Sequence, residues 1–165
     1  MNADDLRLLR LAIDVAARAR ARGNHPFGAV LASAQGEVLL EGENTVATDE
    51  DVMGHAELNL VRQASRAFTR DELASTSLYS STEPCAMCSG AIYWSGIGRV
   101  VYALPEARLG EFTGADPENP TMHLSARAVL GAGQREIVVE GPADLPEAAD
   151  VHADFWDPER EDHRG

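Results

Sequence analysis

Between Asp4 and about Ala21, the apolar residues Leu6, Leu9, Ile13 and Ala16-Ala17 recur every three or four positions, with Arg7, Arg10, Arg18, Arg20 and Arg22 available for a wet side. This periodicity predicts an amphipathic covering helix, closed by Gly23-Asn24. The period then shortens. Phe27 to Leu31 and Glu37 to Glu41 read as two strands of a β-hairpin around a turn at Ala34-Gln35-Gly36. Pro26 and the small Gly28-Ala29 pair open its first strand, a place where a ligand can approach the backbone. Asp49 to Gly54 is a polar loop leading into an apolar-periodic helix from His55 to about Phe68, through Leu58, Leu60 and Val61. Thr76 to Ser80 is a β run, Cys85 to Trp94 a helix ended at Gly96, and Arg99 to Ala103 a β-branched strand.

Beyond Pro105 the pattern thins. Gly110 to Pro120 reads as a loop, Leu124 to Leu130 as a short helix ended by Gly131, and Glu136 to Glu140 as a last strand. A helical stretch from Asp144 is expected to end in Phe155-Trp156. The order of elements predicts an α/β fold, a three-layer α/β/α sandwich around one mixed five-stranded sheet. One domain over 1–157 and a polar tail over 158–165 are expected, with no repeat and no linker.

At 165 residues and 44% hydrophobic content, the chain is large enough to bury a core; a chain of this length buries roughly 70% of its unfolded surface. All 14 basic residues are Arg and the net charge is −13. The absence of Lys excludes Schiff-base and pyridoxal chemistry. The acidic balance argues against gripping a polynucleotide, which calls for a basic face that displaces counterions. No signal-peptide core or membrane-spanning run is apparent, and two cysteines make no disulfide framework, so the expectation is a cytoplasmic protein with no membrane partner.

Those two cysteines carry the candidate chemistry. In Pro84-Cys85-Ala86-Met87-Cys88 the thiols are three residues apart, on one side of a first helical turn, where the positive end of the helix favours thiolates. His55 likewise follows a breaker and opens a helix. One His and two Cys suit zinc and leave a fourth tetrahedral position open, whereas a structural site is normally closed by four protein ligands. Glu57, two residues from His55, is then free to carry protons. His-x-Glu together with Pro-Cys-x-x-Cys is the signature of zinc nucleobase deaminases. His25, His123 and His152 add no ligand spacing, and His25, two residues before Phe27, reads as a surface residue, with the mouth of the site as the alternative.

With these motifs in place, the chain resembles the cytidine-deaminase-like superfamily, and within it bacterial guanine deaminases and their relatives acting on cytosine or aminotriazines. The likeness runs from Leu6 to Leu104 through Pro26-Phe27-Gly28-Ala29-Val30, Asn44, His55-Ala56-Glu57, Glu83-Pro84-Cys85-Ala86-Met87-Cys88 and Gly90-Ala91-Ile92-Tyr93-Trp94. It implies Zn2+ held by His55, Cys85 and Cys88, Glu57 as proton shuttle, and Asn44 bonded to the base. It also implies substrate contacts at Phe27, Ala56 and Trp94. A homodimer is implied, in which Asp116 and the tail Asp154-Phe155-Trp156 close the partner's site. Relatives often carry an acid directly after the tail histidine; here Ala153 stands there and the acid is Asp154, which leaves base selectivity open. The implied reaction is deamination of a free base, guanine to xanthine. Cytosine, a nucleoside, an aminotriazine such as ammeline, a tRNA adenosine, and a non-catalytic zinc module are the alternatives.

Overall fold

The structure, a computed structural model, describes residues 1–114, 116–120 and 122–156. The final position of the expected domain, Asp157, and the polar tail 158–165 lie outside the described residues.

The first helix, α1 (Ala3–Ala21), begins where its sequence can satisfy its own free amides: the Asn2 side chain accepts from the Asp5 N–H and Asp5 returns the bond to the Asn2 N–H. It is followed by β1 (Gly28–Ala32), β2 (Val38–Glu43), α2 (Ala56–Ala67), α3 (Arg70–Leu73), β3 (Ser77–Thr82), α4 (Ala86–Ser95), β4 (Arg99–Leu104), α5 (Glu106–Thr113), α6 (Ala126–Gly131), β5 (Val138–Glu140) and α7 (Glu147–Asp150). Among the described residues the strands form one sheet in the order β2-β1-β3-β4-β5. β1 is antiparallel to both its neighbours, while β3, β4 and β5 are parallel. The carboxyl ends of β2, β3 and β4 therefore share one edge of the sheet with the start of β1.

Alternation along the strands separates the two cores. Val30, Ala32, Tyr79, Val101 and Ala103 pack with Leu8, Leu9 and Ala12 of α1 and Ala148 of α7. Their neighbours Ala29, Leu31, Leu78 and Val100 pack on the other face, with Leu60 and Ala64 of α2, Ile92 of α4 and Leu130 of α6. This is the expected three-layer sandwich around a mixed sheet.

Two glycines set how closely the helices sit. A Cβ on Gly28 would lie 2.3 Å from the Ala12 carbonyl oxygen, and one on Gly42 would lie 2.4 Å from that of Ala56. Gly28 at the opening of β1 thus admits α1 rather than a ligand, which corrects the sequence reading. The start of α2, with the metal-ligand candidate His55 just before it, rests directly on β2.

The carboxyl third departs furthest from expectation. α5 occupies part of the expected loop, continuing through Gly110 because Leu109 and Thr113, one turn apart, are both buried. The expected helix over 144–156 contracts to α7, and the chain then turns, with Asp154 at φ 59°. Among the described residues no helix is long and apolar enough to cross a membrane.

Candidate active site

The sequence motifs converge on the shared edge of the sheet. β3 delivers Glu83-Pro84 to Cys85, the residue capping α4, so Cys88 lies one turn in and is fully buried. His55 caps α2, which packs on α4. His55 Nδ1 is 3.7 Å from each of Cys85 Sγ and Cys88 Sγ. A tetrahedral zinc with ordinary Zn–N and Zn–S bonds sets nitrogen and sulfur about 3.6 Å apart, so the three donors fit that ion. Together they are the group among the described residues that could hold a metal. The Cys88 thiol beside it, followed by the His55 ring, draws the Cys85 thiol down to about 4, whereas the Cys85 sulfur and burial hold Cys88 up.

Glu57 is no part of this donor set. It sits one helical residue beyond Ala56, 6% exposed, and accepts a 3.2 Å hydrogen bond from Ser80 Oγ at the end of β3. Burial, then the Cys85 thiolate, raises its pKa above the usual carboxylate value. A shift in that direction suits a carboxyl that takes up a proton and passes it on.

Asn44 follows β2 and is 1% exposed. Its Oδ1 accepts the Val46 N–H at 3.1 Å, which fixes the amide so that Nδ2 is the end without a protein acceptor among the described residues. Asn44 thus offers a donor. Ala56 is fully buried in the first turn of α2. Phe27, before β1, is half-buried, and its ring lies 5.2 Å from that of His152 and 6.1 Å from that of Trp156.

Other site candidates fall differently. Trp94 is 74% exposed, on the side of α4 opposite Cys88 and Ile92, so it lines no pocket within this chain. The tail packs on its own chain: Phe155 and Trp156 are buried, Arg20 donates to the Val151 carbonyl at 2.7 Å, and Arg20 lies over the Phe155 ring. Asp154 is exposed at its turn. Asp116 is half-buried, its Oδ1 accepting the Glu118 N–H at 2.9 Å.

Three further residues take places that sequence reasoning did not assign them. His25, expected at the surface, is 6% exposed, lies 3.2 Å from Glu118, and has its pKa lowered by burial. His152 is 1% exposed, accepts the Trp156 indole N–H at Nδ1 (3.2 Å), and faces Thr82 Oγ1 with Nε2 (3.4 Å). Nδ1 being the acceptor, Nε2 carries the proton toward Thr82, and burial holds this imidazole neutral, with its pKa pushed down to about 3. Glu83, 8% exposed, accepts the Glu106 N–H with Oε2 and the Ala126 N–H with Oε1, each at 3.0 Å, tying the starts of α5 and α6 to the metal loop. Its place in Glu83-Pro84-Cys85 was the available signal.

Residues 2–104 match the family model described as the cytidine and deoxycytidylate deaminase zinc-binding region. The chain belongs to this family of deaminases. Its cofactor is accordingly Zn2+, with His55, Cys85 and Cys88 the possible metal site. The chain is 42% identical to the probable cytosine deaminase of Schizosaccharomyces pombe over 153 residues, 93% of each chain. It is 44% identical to the guanine deaminase of Bacillus subtilis over 78 residues, 47% of this chain and 49% of that one. The solved structure of the Bacillus subtilis enzyme superposes with a TM-score of 0.60 at 37% identity, covering 67% of this chain and 69% of that chain. A tRNA-specific adenosine deaminase of Haemophilus influenzae is 34% identical over 106 residues, 64% of this chain and 61% of that one. These relatives share a deaminating family and differ in what they act on.

Proposed function

We propose that this deaminase is a zinc-dependent aminohydrolase acting on a free nucleobase, converting guanine to xanthine with release of ammonia. The observation that carries the reading is a buried Glu57 beside a three-donor metal cluster that it does not join. Zinc, when bound, supplies the Lewis-acid activation of water that hydrolysis requires. Glu57 takes a proton from the attacking water and delivers it to the ring nitrogen beside C2, then takes the remaining proton of the new C2 hydroxyl and passes it to the amine as the C2–N bond breaks and the C2 carbonyl forms. Asn44 donates from Nδ2 to an acceptor on the base, and Phe27 with the Trp156 edge supplies apolar wall.

Cytosine is the second reading, supported by the Schizosaccharomyces pombe relative, which matches over 93% of this chain. Net charge −13 supports a neutral small substrate over tRNA. We further place the protein in the cytoplasm, where free thiols stay reduced, as one deaminase domain over 1–157 in a homodimer. Exposed Val52, Met53, Met87 and Trp94, on α4 and before α2, are apolar surface that a second copy would cover. Asp116 and Asp154 keep their proposed place near the mouth of the site in that assembly.

Ammonia release from guanine, cytosine, adenine, ammeline, cytidine and tRNA by the zinc-loaded chain tests the assignment. Turnover of guanine above the others is expected. A chain that deaminates tRNA or a nucleoside while leaving every free base untouched overturns it.

A further inference from the structure

One acid at the site is used neither by the metal cluster nor by the proton shuttle. β3 and β4 are parallel and in register at Thr82 and Leu104, and the Glu83 N–H donates to the Leu104 carbonyl at 2.7 Å. The two chain segments therefore leave neighbouring strand ends side by side, one into Cys85 at the start of α4 and the other into Glu106 at the start of α5. Ligands of open α/β sheets bind in the crevice beyond such carboxyl ends. Asn44 leaves the same sheet edge from β2, two strands beyond β3, so Asn44 and Glu106 stand on opposite sides of the metal loop.

The Glu106 carboxylate is half-buried and accepts no hydrogen bond from the described residues, although its backbone N–H is held by Glu83. Burial, with Cys85, Glu83 and Glu57 adding to it, pushes its pKa up to about 7. An acceptor taken partly out of water without a partner is costly unless something brought to the site satisfies it. The contribution of Glu106 to the Glu83 staple is made by the backbone, so the carboxylate itself is left to the first turn of α5 and to the crevice.

We infer that Glu106 is a specificity-determining residue that accepts an N–H of the bound base, across the metal loop from the Asn44 donor. This inference rests on the proposed free-base reading and sharpens it. The site selects heterocycles that present a carbonyl oxygen at one edge and a ring N–H at the other, as guanine and cytosine do. Adenine lacks the carbonyl.

The test compares wild type, Glu106→Ala and Glu106→Gln as zinc-loaded full chains. Calorimetric binding of 8-azaguanine and of cytosine is measured together with kcat and KM for free bases, zinc content and Tm. The expected result for Glu106→Ala is a loss of roughly ten- to a hundredfold in affinity for the bound base, the scale of one hydrogen bond to a charged group. KM rises in step, kcat changes less, and zinc content and Tm hold. Glu106→Gln, whose amide oxygen still accepts an N–H, recovers part of the loss. Affinity within twofold of wild type in the alanine variant overturns the inference, as does a loss that comes with lost zinc or lowered Tm. Ammonia release by wild type with Glu106→Ala unchanged sinks the inference alone. Wild-type binding without ammonia release sinks the hydrolase reading while the affinities still judge Glu106, and wild type binding neither probe sinks both.

Discussion

Replacing Glu83 by Ala removes the carboxylate that holds three elements together. Its Oε2 and Oε1 take the N–H groups of Glu106 and Ala126, each at 3.0 Å, and the second bond is fully buried. A hydrogen bond to a charged group contributes about 1.5–3 kcal/mol, and an amide left unsatisfied in the interior costs on the same scale. The Glu106 N–H lies nearer solvent and recovers part of its loss from water, so the two together give about 3–5 kcal/mol. For a domain of this length each kcal/mol lowers Tm by about 2–4 °C, which places the variant about 6–20 °C below wild type. Guanidinium denaturation followed by circular dichroism, with zinc present throughout, measures the difference. Glu83→Gln retains one acceptor and should fall between the two. A loss below about 1 kcal/mol in Glu83→Ala would show that the starts of α5 and α6 are held by their apolar contacts instead, and would refute the staple.

Glu57→Gln should retain zinc and fold while kcat drops by about 10² to 10⁴, the range for a positioned proton carrier; near-normal turnover would remove Glu57 from the mechanism and favour a non-catalytic zinc module. Cys88→Ala should lose zinc and stability together, because folding and ion binding share the site; one zinc per chain by elemental analysis would show the ligand set to be misassigned. Asp5 accepts from Arg99 at 2.8 and 3.0 Å and from the Tyr79 hydroxyl at 2.8 Å, and the Arg99 guanidinium holds its carboxyl well below the usual range. A depressed carboxyl stabilises the fold above its unfolded pKa of about 3.9 and loses that contribution as pH falls toward the folded value. Asp5→Asn should therefore cost about 3 kcal/mol near pH 7 and flatten the acid limb of the stability curve; an unchanged limb in denaturation from pH 5 to 2 would contradict this. In Gly42→Ala the new methyl meets the Ala56 carbonyl at 2.4 Å, so a loss of about 1–3 kcal/mol is expected with weaker turnover, as the start of α2 is pushed off β2. Thermal melts and base deamination of the same preparation check both parts.

Sequence alone determined the layers and the metal cluster, because each depends on spacing along a short segment. Period-two and period-three-to-four patterns identify strand and helix faces, and Cys85 and Cys88 one turn apart are brought together by any helix that starts there. Meeting His55 required the tertiary structure, yet the residue types already limited the chemistry to zinc. Gly110 made α5 look like a loop, because the buried Leu109 and Thr113 that sustain it acquire their value only once β4 lies beside them. The same holds for His25, read as surface, and for His152, given no role: an isolated imidazole has no assigned place until the strand ends, α5 and the tail close around it. Trp94 shows the converse, since helical phase places it opposite Cys88 and no motif records phase against a neighbour. Tertiary structure alone decided which groups face the metal loop from distant strands. Strand order places Asn44 and Glu106 on either side of it, and no local pattern encodes strand order.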